Sequence, residues 1–252
     1  MKRLKFWVIG LMFMAPFGLI GQEAPQMYWV HEDHVKPSMV TEYEKSAKQL
    51  VDNCKKYNIQ TLGWITTSTS DMRYMYVSPI SSMADINYDG FKPLQEAMGD
   101  EAFGKMFSDM DKCYSSHGDY ILMLNNELTY MPDGMTQTPE GKDYRRFYYV
   151  RTTPENNAKL KEKMKAIKDF YAQKNSKVHY RVYQSGFGTM ENYYLVAIAA
   201  ENGVAYETMG EENDAILGEE RHQLFGEMMK YVTSIDEVTG EMRPDLAYMP
   251  QK

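Results

Sequence analysis

Cysteine is scarce. Cys54 and Cys113 are the only two in 252 residues, so no disulfide-dense scaffold can be built from this chain. Positive charge is also in short supply. Lys and Arg number 28 against 35 Asp and Glu, for a formal net charge of −7. An acidic chain repels phosphate backbones, which argues against a nucleic-acid partner. No basic stripe points to a membrane surface. No Gly-rich phosphate loop, Ser-nucleophile elbow or metalloprotease motif occurs. No acid/base pair stands out either, so the residues alone name no reaction.

Long apolar runs are missing but for one, at residues 6–20, "FWVIGLMFMAPFGLI". It follows a basic "MKRLK" and turns polar at "GQEAPQ", the layout of a secretory signal peptide. It is short for a membrane span, which needs about 20 residues. Residues 1–21 are therefore expected to be a Sec-type signal peptide with cleavage after Gly21. No Cys follows the run, which argues against a lipoprotein. The expected location is the periplasm or the outside of a bacterial cell, with no membrane insertion after cleavage.

What is present is an ordinary globular composition, 43% hydrophobic and 25% charged, with an unusual phrase in it. Residues 126–132 read "NELTYMP" and residues 244–250 read "PDLAYMP". Working back from them, the halves align. "MYWVHED" (27–33) matches "FYYVRTT" (147–153), both short strands rich in aromatic and β-branched residues. Amphipathic helices follow, with Val40, Tyr43, Ala47, Leu50, Val51 and Cys54 at helical spacing in one and Leu160, Met164, Ile167, Phe170 and Tyr171 in the other. Thr153-Pro154 offers an N-cap, and Thr41 with Glu44 a capping box. Hairpins follow ("TLGWITTS"/"RYMYVSPI" and "KVHYRVYQS"/"NYYLVAIAA"), then an inserted helical stretch, a second main helix, and a last strand expected to carry the repeated phrase.

Each half thus reads β-α-β-β-α-β, a ferredoxin-like unit. The expected fold is α+β: two tandem ferredoxin-like units packed sheet to sheet as a pseudo-dimeric α+β barrel. The boundaries are 22–132 for the first unit, 133–146 for a polar linker and 147–252 for the second.

This arrangement, with "FYYVRTTPENNAKLKEKMKAIKDFYAQ" as its most characteristic stretch, resembles the dimeric α+β barrel superfamily. That group includes NIPSNAP-like proteins, antibiotic-biosynthesis-type monooxygenases and chlorite-dismutase-like haem proteins. The resemblance lies in element order across nearly the whole chain after residue 21, and no catalytic motif carries over with it. It implies an oxygenase-like enzyme, cofactor-independent or haem-dependent, as the alternative to a binding protein. Its haem-binding members place the axial His on a helix, which marks His222 as the candidate haem ligand. The residues themselves call for no cofactor.

With Val30 and Val150 against helices, Trp29, His31, Tyr149 and Arg151 would face the space between the sheets. Trp64 and Tyr183 would add walls to a site for a small hydrophobic or aromatic molecule. Arg151 and Arg181 favour an anionic ligand there. The competing view is a structural protein whose inter-sheet space is solid. In "HEDH" (31–34), His31 and His34 fall on opposite strand faces, so no metal site is expected. Cys54 and Cys113, near the ends of antiparallel helices, are expected to stay unpaired. The oligomeric state is open.

Overall fold

The computed structural model describes residues 25–250. The expected signal peptide lies outside them. Eight strands form one closed barrel: β1 (Met27–Val35), β2 (Ile65–Thr69), β3 (Arg73–Ile80), β4 (Tyr114–Leu124), β5 (Tyr144–Thr152), β6 (Tyr180–Ser185), β7 (Asn192–Ala200) and β8 (Ser234–Met242). Around the barrel the order is β1-β3-β2-β8-β5-β7-β6-β4. Every strand pair is antiparallel. The arc β4-β1-β3-β2 comes from the first half and β8-β5-β7-β6 from the second, each in the same relative order. The expected pair of facing sheets is thus a single closed one, because short seams join the arcs. These seams are Thr67–Thr69 against Gly240–Met242, and Leu122–Leu124 against Tyr183–Ser185. Closure leaves no exposed sheet edge.

Six helices cover the outside: α1 (Val40–Lys56), α2 (Lys92–Met98), α3 (Asp100–Asp111), α4 (Asn157–Gln173), α5 (Gly203–Leu217) and α6 (Glu220–Met229). Tyr43, Ala47, Leu50, Val51 and Cys54 are the buried stripe of α1; Leu160, Met164, Ile167 and Phe170 are that of α4. Both long helices stop in the same way. Asn58 and Asn175 take positive φ (50° and 54°), and the next residue bonds back to the carbonyl five positions earlier (Ile59 N–H to Cys54, 3.0 Å; Ser176 N–H to Tyr171, 2.9 Å). The starts differ from expectation. Met39 precedes α1 without a side-chain cap, and Glu44 accepts from Tyr74 Oη–H (2.6 Å) instead of closing a capping box. Thr153 Oγ1 caps the turn ahead of α4, accepting from Asn156 N–H (3.2 Å). Cys54 and Cys113 are both free and buried, and burial pushes the Cys54 thiol up to about 12.

The barrel interior is a cluster drawn from strands alone, with Val30, Met75, Leu122, Phe147, Tyr149, Tyr183, Tyr193 and Leu195 buried together. Gly240 marks how tightly it closes. A Cβ there would stand 2.8 Å from the Phe147 ring and 2.9 Å from the Ser68 carbonyl. At one mouth the linker acts as a plug: Gln137 donates to Tyr28 Oη (2.9 Å), and its carbonyl accepts from buried Arg181 (2.6 Å) and Arg145 (3.1 Å).

The repeated phrase lies beyond the last strand of each half rather than in it. It reaches across. Tyr248 pairs with Trp64 through two backbone bonds (2.7 and 3.0 Å), and Tyr130 pairs with Tyr180 likewise (both 2.9 Å). Leu246 is buried in the cluster of α1, and Leu128 in that of α4. Tyr248 Oη–H donates to Ile59 O (2.6 Å), and Tyr130 Oη–H to Ser176 O (3.1 Å), both in the turns that end those helices. Each half therefore completes the helix layer of the other.

Each Leu is 1% exposed, so truncation leaves a cavity. Leu128→Ala and Leu246→Ala should each lose about 2–5 kcal/mol in chemical denaturation. A loss below about 1 kcal/mol in both would mean that the latch holds nothing.

Candidate functional site

Strand register builds the site. On the outer face of β1, Trp29, His31 and Asp33 follow one another at the period of two. β4 lies beside it with Asp33 opposite His117 and His31 opposite Asp119; on the other side, β3 puts Tyr76 opposite His31. The two strands carry the same His-X-Asp pattern, His31-Glu32-Asp33 and His117-Gly118-Asp119, and antiparallel pairing crosses them into a rectangle. β-α packing leaves a cavity of about 340 Å³ above it, with Trp29, Trp64, Tyr76, Phe91 and Phe107 among its walls and His31, Asp33, His117 and Asp119 converging on it.

Asp33 is 2% exposed. Its Oδ2 accepts from Tyr43 Oη–H (2.5 Å), which also contacts Tyr76 Oη (2.8 Å). Its Oδ1 has no hydrogen-bond partner. That oxygen lies 3.3 Å from His31 Nε2 and 4.0 Å from His117 Nδ1, neither contact being aligned as a hydrogen bond. A buried carboxylate oxygen left bare is costly and marks a position where a partner belongs. His31 Nδ1 sits 3.0 Å from Asp119 Oδ1, which also accepts from Trp29 Nε1–H (2.9 Å). Burial alone would push the His31 imidazole down. The hydrogen bond to Asp119 and the negative charge of Asp33 and Asp119 outweigh it and raise the pKa to about 9. Reciprocally, the His31 hydrogen bond holds the Asp119 carboxyl below the usual carboxylate range. The His31 and His117 rings meet edge to face at 5.4 Å, and His117 stacks on Tyr114 at 5.2 Å.

Of the residues singled out by sequence, Trp29, His31 and Trp64 come together, but outside the barrel under helices rather than between sheets. Tyr149 and Tyr183 do face the interior, among packed neighbours. The parity differs between halves: Val150 packs against α4, as expected, whereas Val30 points inward. Arg151 binds Glu191 (2.5 Å) and Asp236, so it has carboxylate partners of its own. Asp33, His117 and Asp119 were missed. The paired His-X-Asp pattern is the available signal, and the chain hides it because the partner of His31 lies across the strands and not beside it at His34.

A second cavity, about 430 Å³, lies under the helices of the other half, among Tyr148, Val150, Met164, Ile167, Phe225 and Met228. It is lined mainly by apolar groups, with Asn213, Asp214 and four tyrosines (Tyr148, Tyr171, Tyr180 and Tyr206) as its polar members and no histidine in its lining. His222 stands on α6 with its side chain 63% exposed, 3.6 Å from Glu219. The residues around it do not fit an axial haem ligand, which needs to point into a sheltered pocket. Among the described residues no helix is long and apolar enough to cross a membrane.

The chain is a closed eight-stranded barrel with helices outside, and an aromatic cavity with a carboxylate on its floor lies under the helices of the first half. Solved structures agree on the fold. An anthrone oxidase-like protein is 15% identical with a TM-score of 0.58, covering 88% of this chain and 92% of its own. A monooxygenase-like protein from Lactobacillus acidophilus NCFM is 9% identical with a TM-score of 0.53, covering 90% and 97%. A mutant chlorite dismutase from Candidatus Nitrospira defluvii is 8% identical with a TM-score of 0.51, covering 87% and 92%. No protein-family profile and no curated protein sequence matches the chain.

Arg151→Ala separates surface pairing from ligand binding. Its partners are half-exposed, so stability should fall by less than about 1 kcal/mol, and any compound co-purifying with the protein should be retained, as read by mass spectrometry. Selective loss of such a compound would restore Arg151 as a binding residue.

Proposed function

We propose that the cavity over β1, β3 and β4 binds a small, flat aromatic molecule carrying a hydrogen-bond donor, and that the chain acts on it with oxygenase-like chemistry. The observation that carries this reading is the bare Asp33 Oδ1 at the floor of an aromatic-walled space. Trp29, Trp64, Tyr76 and Phe107 offer faces and edges to an aromatic ring. A phenolic or enolic O–H pointing down finds an acceptor in Asp33. If that group is acidic, Asp33 takes its proton as general base, and the neighbouring His31 steadies the anion that remains. Two carboxylates around one imidazole suit a donor better than an anion, which revises the anionic ligand expected from Arg151. The fold's likeness to an anthrone oxidase-like protein supports an aromatic substrate, and its likeness to a monooxygenase-like protein supports oxygenase-like chemistry.

The rest of the proposal concerns organisation. The matching strand order of the arcs, the matching helix ends and the crossed phrase support two tandem ferredoxin-like units within 22–132 and 147–252. The charged-apolar-polar layout of residues 1–21 supports export to the periplasm or beyond. The partner is a small molecule, with no role for nucleic acid.

The test uses a built-in probe. From Gln22 onward the only tryptophans are Trp29 and Trp64, and both wall the cavity. Titration of this chain with 1-naphthol, with chelator present, should change tryptophan fluorescence saturably. Asp33→Asn should weaken binding about tenfold, or about 1.4 kcal/mol, and Tyr183→Phe in the barrel interior should leave it unchanged. No saturable change, or equal binding by Asp33→Asn, would overturn the reading.

A further inference from the structure

We propose that His31 Nε2, Asp33 Oδ1 and His117 Nδ1 form a three-ligand site for a divalent first-row transition metal, Fe(II) foremost, with open positions facing the aromatic cavity. The proposal deepens the reading of that cavity and rests on it for the substrate that would sit beside the ion.

Three independent features support it. The first is spacing. One donor atom from each of the three residues lies within 4.8 Å of the others, and Asp33 Oδ1 is 3.3 Å from His31 Nε2 and 4.0 Å from His117 Nδ1. Ligands at roughly 2.1 Å from one ion stand about 3.0–3.4 Å apart in octahedral or tetrahedral geometry. Bringing His117 Nδ1 from 4.0 Å to that distance of Asp33 Oδ1 takes a movement of roughly 0.6–1.0 Å in an exposed side chain.

The second is the bare oxygen. Asp33 is buried, its Oδ2 is occupied by Tyr43, and its Oδ1 has no partner. A cation there would satisfy a buried carboxylate oxygen that has no hydrogen-bond partner.

The third is the support behind the ligands. Metal-bound imidazoles usually donate their other N–H to a carboxylate or carbonyl, which fixes ring and tautomer. His31 has this partner in Asp119, 3.0 Å from Nδ1, and Asp119 is itself fixed by Trp29 Nε1–H. The ligating carboxylate is fixed in turn by Tyr43.

Two imidazoles and one carboxylate on one face, with open positions, suit Fe(II), and the borderline donor set also accepts Co(II), Mn(II) or Zn(II). The phenolic oxygen of a bound aromatic would then complete the ion's coordination rather than donate to Asp33. The second-half cavity has no histidine in its lining, so the proposal predicts one ion per chain.

Cobalt(II) is the probe, because its visible absorption reports coordination directly. The chain from Gln22 onward, stripped with chelator and dialysed, should take up one Co(II) per chain with ligand-field bands in the visible. His117→Ala, a change at an exposed side chain, and Asp33→Asn should each weaken binding at least tenfold. Asp119→Asn should weaken it about 10–100-fold through the lost support of His31. His222→Ala should change nothing, and circular dichroism should show each variant folded. Absence of saturable Co(II) absorption, or unchanged binding by folded His117→Ala, would overturn the proposal. In the chelator-treated chain, 1-naphthol binding that survives loss of the metal result leaves the cavity reading standing, whereas loss of both removes both.

Discussion

Closure of the barrel is the constraint on which the rest depends. Eight antiparallel strands joined edge to edge give every strand an inside and an outside. The inside is narrow, and Val30, Phe147, Tyr149, Tyr183 and Leu195 help fill it. A barrel of this size has just enough interior for side chains. Ligand space is therefore found on the outside, where helices cross the sheet without pressing on all of it. The cavities in the two halves both lie in that layer.

The seams are short, and side chains reinforce them. Leu246 and Tyr248 cross to the layer of α1, while Leu128 and Tyr130 cross to that of α4. This exchange explains why the same phrase occurs in both halves: each copy serves the same place on the opposite arc. It also ties the candidate site to the second half, since Trp64 is held between the cavity and Tyr248, with ring centroids 5.5 Å apart. The site and the latch thus share a side chain, and a change in one should be felt in the other.

Much of this was legible in the sequence, and the limits have physical causes. Helix stripes could be read because helical period and burial coincide in α1 and α4. β3 and β7 were read to the residue, since turn letters bracket their apolar runs. The facing of β1 could not be read. Its "YWVHED" offers large side chains to both faces, as strands buried on both sides do, and a one-residue error in alignment turns every side chain over. Setting Val30 beside Val150 made that error. The repeated phrase was recognised, but its crossing between halves depends on three-dimensional path. The rectangle of His31, Asp33, His117 and Asp119 was invisible for a related reason. Both His-X-Asp patterns stand in the sequence, yet only strand register makes them neighbours.

The difference between the halves carries the functional argument. Both have a cavity under their helices, but in the first half the floor holds a bare buried carboxylate oxygen and two imidazoles, while the second is lined mainly by apolar groups. Chemistry gathered in one half points to one candidate site per chain. The most direct measurement is a crystal structure of the chain from Gln22 onward soaked with 1-naphthol. The account predicts the ring between Trp29 and Trp64 with its oxygen toward Asp33. Density instead among Tyr149 and Tyr183 inside the barrel, or between Met164 and Phe225 in the other half, would contradict it.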